Sequence, residues 1–101
     1  MTEPCAIMKA LGDRTRFQIV KHLMEHDYCV NALVKRLDAT QSAVSQHLKI
    51  LRDAGLVKGE KRGYYTHYRI EHDQLQKVTD TLMKLMNTKR KADHGSECKK
   101  S

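Results

Sequence analysis

The sequence predicts a mainly α-helical domain with one small β-hairpin, in the order four helices, two strands and a last helix. Two observations carry that prediction. Apolar residues recur at helical spacing from residue 5 to 54 and again from 75 to 86, and between these stretches the period switches to two. The chain has 101 residues, enough for one domain whose own core is marginal, so burial against a partner chain is favoured.

Pro4 suits the first turn of a helix, where its missing N–H costs nothing, and Cys5 to Leu11 continue that helix up to Gly12. Asp13 is a good N-cap for a second helix, with Phe17, Val20, Leu23 and Met24 on one face. After a polar break ending at Asp27, Val30, Leu33, Val34 and Leu37 form the stripe of a third helix. Asp38-Ala39-Thr40 makes a three-residue turn, and Thr40 caps a fourth helix that runs from Gln41 to about Ala54. That helix turns Val44, Leu48 and Leu51 inward, and Gly55 closes it as a C′ residue.

From Leu56 to Ile70 the alternation reads as two strands joined by a charged, glycine-bearing turn. Tyr64, Thr66 and Tyr68 share one face of it, and Tyr65, His67 and Arg69 the other. Leu75, Val78, Leu82, Leu85 and Met86 then line up along a fifth helix. Residues 1–88 are expected to form the domain, and residues 89–101, polar, basic and without periodicity, a flexible tail.

Two short helices joined by a three-residue turn, the second with a polar outer face, match the helix-turn-helix. In that motif the start of the second helix meets base edges in the major groove. Here that surface is Gln41, Ser42, Ser45, Gln46 and Lys49. Glutamine can pair with adenine, and serine can meet either bases or phosphate. The hairpin that follows carries Lys58, Lys61 and Arg62, as a wing gripping phosphate beside that helix requires. The fold expected is therefore a winged helix-turn-helix, with double-stranded DNA as partner. The 19 Lys and Arg outnumber the 12 Asp and Glu, and the net charge of +7 draws polyanions within a Debye length of about 8–10 Å.

The same residues exclude other classes. No apolar run approaches the roughly 20 residues needed to span a bilayer, and no signal peptide opens the chain, so a cytoplasmic protein without membrane partners is expected. No nucleophile–base pair, phosphate loop or carboxylate pair stands out, and His47 falls on a different face from Ser45, so no enzyme is expected.

The stretch from Leu11 to Ile70 resembles the ArsR/SmtB family of metalloregulatory repressors. The resemblance rests on LGDRTRFQIV, DYCVNALVKRL, QSAVSQHLKILRDAGLV and KGEKRGYYTHYRI, the third being the most specific. It implies a homodimer built through the first and last helices. Such a dimer would repress from a roughly palindromic operator near its own promoter, with half-sites about 34–36 Å apart, until an inducer releases it.

Three cysteines, Cys5, Cys29 and Cys98, are too few and too far apart for a disulfide framework. Cys29 stands at the first cysteine of the family's CVC signature, and Asn31 stands where the second would be, which removes two adjacent ligands from that helix. A helix N-terminus favours a thiolate, while a small buried thiol is the structural alternative. Cys5 lies in the first helix, a region from which some relatives contribute thiols, and Cys98 lies in a tail that can reach roughly 15–20 Å. Three thiols fit a soft inducer such as As(III), Sb(III) or Cd(II), with His94 as a candidate fourth ligand. The alternative on the same fold is a dithiol switch for oxidants or sulfane sulfur. A further alternative is a protein-interaction winged helix that never meets DNA. The family's other location, a zinc-type site on the last helix, has His72 and Asp73 at one end but Leu85 and Thr88 at the other. His22, His26, His47 and His67 are expected to be structural or solvated.

Overall fold

The computed structural model describes residues 3–92. Five helices and three strands follow in the order α1 (Pro4–Leu11), α2 (Arg14–Glu25), β1 (Tyr28–Cys29), α3 (Val30–Leu37), α4 (Gln41–Asp53), β2 (Val57–Arg62), β3 (Tyr65–Ile70) and α5 (His72–Met86). Four helices, a hairpin and a closing helix are as expected from the sequence. The added element is β1. It pairs antiparallel with β3, Tyr28 opposite Tyr68 and Cys29 opposite His67, and makes a three-stranded sheet of order β1-β3-β2.

The helix boundaries follow capping chemistry. Pro4 occupies the first turn of α1, and the Asp13 carboxylate accepts from the Arg16 N–H at 3.0 Å to start α2. That hydrogen bond, followed by the charges of His47 and Arg16, holds the Asp13 carboxyl below its usual range against partial desolvation. Asp38 ends α3 in the left-handed region at φ 52°. The Thr40 hydroxyl then accepts from the Ala43 N–H at 3.1 Å, starting α4 after a three-residue turn. Gly55, at φ 82°, closes α4: its N–H donates to the Arg52 carbonyl, and that of Leu56 to the Leu51 carbonyl. These are the two bonds of a Schellman cap.

Ile7, Ile19, Leu33, Val44, Leu48, Leu51 and Leu56 are at most 1% exposed, so all four N-terminal helices and the entry to β2 share one core. Each such side chain contributes about 1.5–3 kcal/mol by leaving water. Arg16 pins three helices: its Nε donates to the Ala10 carbonyl at 2.6 Å, and its Nη1 lies 3.3 Å from His47 Nδ1 on α4. Tyr28 does the same for β1, stacking on His26 at 5.1 Å between centroids with the Arg36 guanidinium 4.4 Å over its ring.

Two expectations are corrected, on α2 and at the hairpin turn. On α2 the buried stripe is Ile19, Val20 and Leu23, whereas Phe17 and Met24 stand about half exposed. Two stripes one residue apart on this helix are both apolar, and the core covers only one. Tyr64 does not share a strand face with Thr66 and Tyr68. It sits with Gly63, at φ 65°, in the two-residue turn between paired Arg62 and Tyr65. On α5 only Val78 is buried, with Leu75 packed against the core, while Leu82, Leu85 and Met86 are exposed.

Candidate nucleic-acid interface

The α4 helix is held inward by Val44, Leu48 and Leu51, so its opposite face must meet solvent. Gln41, Ser42, Ser45, Gln46 and Lys49 all stand exposed on it. None carries a carboxylate; the nearest acid on the helix, Asp53, pairs with Lys49 at 3.0 Å. Both partners are about two-thirds exposed, so this pair is readily exchanged for a phosphate.

The hairpin supplies the second surface. Lys58 and Lys61 are exposed and make no ion pair among the described residues. Arg62 is different. Its Nη2 donates to Asp27 Oδ2 at 2.5 Å and its Nε to Glu60 Oε1 at 2.9 Å. These bonds raise the guanidinium's pKa further, and the Arg62 hydrogen bond, with its charge, holds the Glu60 carboxyl below the usual range. Of the three wing cations named from sequence, two are unpaired among the described residues and one braces the wing to the α2–β1 corner. The acid that engages it lies 35 residues away, which no local pattern reveals.

Between wing and helix lies an open cavity of about 310 Å³. Cys29, Val30 and Asn31 from the start of α3 and Gln41 from the start of α4 form one wall. Tyr64, Tyr65, Thr66 and Tyr68 form the other. Asn31 and these hydroxyl groups were not read as site residues from sequence. The wing tyrosines carried the only signal, as large side chains outside any helical stripe.

The thiols are placed as follows. Cys29 is the half-buried residue before α3, and its side chain makes no cap bond; Cys5 is exposed on α1. Cys98 and His94 lie outside the described residues. Among those described, no three His, Cys, Asp or Glu side chains converge as a metal site. His72 and Asp73 are exposed in the first turn of α5. His22 and His26 flank Tyr28, and His47 packs against Arg16. His67 lies on β3 with a buried Nδ1 that has no hydrogen-bond partner among the described residues. No helix among the described residues is long and apolar enough to cross a membrane.

A capped helix-turn-helix with a basic hairpin beside its second helix defines a winged helix-turn-helix transcriptional regulator. The profile described as "Bacterial regulatory protein, arsR family" matches residues 13–58. An uncharacterized HTH-type transcriptional regulator of Bacillus subtilis, YbzH, is 36% identical over 79% of this chain and 95% of its own length. The arsenical resistance operon repressor of Escherichia coli is 41% identical over 66% of this chain, which spans 58% of that relative. Among solved structures, an ArsR-like transcriptional regulator from Rhodococcus sp. RHA1 superposes with a TM-score of 0.76 at 31% identity, covering 82% of this chain and 78% of that one. The chain belongs to the arsR family, whose members are transcriptional regulators and not enzymes.

Proposed function

We propose that the chain is a cytoplasmic, homodimeric repressor that binds a palindromic operator and is released when a soft inducer engages its thiols. One observation carries the DNA half of this reading. Gln41, at the start of the exposed face of α4, borders one open cleft with Thr66 and Tyr68 of the wing, and Lys61, unpaired among the described residues, stands opposite Thr66 on that face of the hairpin. The contacts divide by chemistry: Gln41, Ser42, Ser45 and Gln46 address base edges, and Lys49, Lys58 and Lys61 address phosphate.

The inducer half rests on Cys29, a thiol at the junction of β1 and α3 that lines the same cleft. As(III), Sb(III) or Cd(II) would be held by Cys29 together with Cys5 and Cys98, from one chain or two. The repressor named for the E. coli relative supports a metalloid inducer. Coupling of about 1–3 kcal/mol between inducer and DNA is sufficient for derepression.

Fluorescence anisotropy on labelled duplexes tests both halves. Binding should fall steeply with salt and then weaken when As(III), Sb(III) or Cd(II) is added. A Cys29→Ser chain that responds to all three as wild type does would refute the thiol assignment. A wild-type response to peroxide or persulfide, reversed by reductant and absent with metal, would favour a dithiol switch.

A further inference from the structure

We propose that the cavity between the wing and the start of α4 is a seat for one phosphodiester of the DNA strand, lined by neutral donors; the proposal rests on the DNA-binding reading above. A helix in the major groove and a wing in the adjacent minor groove are separated by a single sugar–phosphate strand. The space between these two elements is this cavity. The residues that line it include no Asp or Glu, and four of them, Asn31, Gln41, Thr66 and Tyr68, carry neutral side-chain donors, Thr66 and Tyr68 from one face of β3. Amide and hydroxyl groups donate to phosphate oxygens and fix the register of a duplex without reading its sequence.

Three further features agree. Lys61 is paired with Thr66 in the β2–β3 ladder, so a cation stands on the same sheet face as the hydroxyl. Tyr64 is 88% and Tyr65 50% exposed, and their rings meet each other edge to face at 5.2 Å. Two aromatic side chains left in solvent at a hairpin tip contribute little to the core and are available to a partner. Val30 and Gln41 are the first residues of α3 and α4, so two helix dipoles present their positive ends to the same space. The Arg62 guanidinium is engaged elsewhere, leaving neutral groups to complete the grip.

Cys29 lines this cavity and gives a chemical handle on its contents. In a Cys5→Ser/Cys98→Ser chain, the Cys29 thiolate attacks the sulfenyl sulfur of an alkyl methanethiosulfonate. A mixed disulfide forms and methanesulfinate leaves. Sulfonatoethyl and trimethylammonioethyl adducts are similar in size and opposite in charge. A phosphate seat predicts that the anionic adduct binds duplex about tenfold or more weakly than the cationic one, with the gap closing at high salt. Thr66→Val with Tyr68→Phe, melting as wild type, should bind every duplex about three- to tenfold more weakly, irrespective of sequence. Equal affinities for the two adducts, or a double variant that binds as wild type, would overturn the seat while leaving DNA binding intact. Failure of the unmodified chain to bind any duplex would overturn the DNA-binding reading and the seat with it. Weakening confined to one sequence would assign these residues to base readout and overturn the seat.

Discussion

Arg62 reaches back across the sheet to Asp27, placing a wing cation 2.5 Å from a carboxylate in the short link between α2 and β1. With Glu60 on its other side, the guanidinium spans two acids and ties the hairpin to the corner that sets β1.

The engagement of Arg62 separates two kinds of wing cation by a measurable quantity. Each phosphate contact contributes about 0.9 to the slope of log affinity against log salt. Lys61→Gln should therefore reduce that slope by about one, with affinity lowered across all sequences. Arg62→Gln should leave the slope nearly unchanged. Its effect should appear instead as faster amide exchange in β2 and the loop holding Asp27. A slope lowered equally by both substitutions would mean that Arg62 leaves its acids for phosphate in the complex.

The lowered pKa of Glu60 gives the brace a pH signature. The hydrogen bond and charge of Arg62 depress the folded-state value below the ordinary 4.5. For a depressed carboxylate the stabilisation is fully present above the unfolded pKa and is lost as pH falls through the folded one. Thermal melts of wild type and Glu60→Gln should differ at about pH 6 and converge towards about pH 3. Asp13, also depressed, loses its contribution at the acid end of the same range, so Asp13→Asn should remove part of the remaining pH dependence. A gap between wild type and Glu60→Gln that stays constant through that range would remove the ionic account of the brace.

Helix α4 can be weakened at its cap or at its core, with different consequences. Thr40→Ala removes the acceptor for the Ala43 N–H and should cost about 1 kcal/mol. Fraying then begins at Gln41 and Ser42, so duplex affinity should fall by more than the loss of overall stability implies. Leu48→Ala, at a position 1% exposed, should cost about 2–5 kcal/mol by opening a cavity beneath the same helix. Chemical denaturation with parallel anisotropy separates the two. If Thr40→Ala binds duplex as wild type, the first turn of α4 is not part of the interface.

The sequence pattern revealed the helices wherever a cap and a stripe coincided. Asp13, Thr40 and Gly55 each mark a boundary by local chemistry, and Leu33, Leu48 and Leu51 fall where their spacing places them. Strand β1 was not legible because two residues carry no periodicity, and its partners on β3 lie about forty positions away. Phe17 and Ile19 show a different limit. Both belong to apolar stripes, and only tertiary packing decides that Ile19 is covered and Phe17 is not. The polar face of α4 was readable because a helix anchored by three inward residues has only one way to turn. The Arg62 brace and the wall of the cavity were not, since both bring together groups distant in the chain.

The most exposed apolar surface tests the dimer. Leu82, Met83, Leu85 and Met86 are 46%, 54%, 69% and 79% exposed along the second half of α5, beyond the point where Val78 enters the core. A helix that keeps an apolar stripe past its own domain is stabilised by a second surface, and α1 already packs along the buried half. A second copy of the same helix offers a self-complementary stripe about a two-fold axis. Leu85→Asp should then weaken self-association by about thirtyfold or more while leaving the helical signal in circular dichroism unchanged. Sedimentation across a concentration series reads this directly, and the variant should also bind a two-half-site duplex no more tightly than a single half-site. A wild-type chain that sediments as a monomer at micromolar concentration would leave the stripe to another occupant and remove the basis for a palindromic operator.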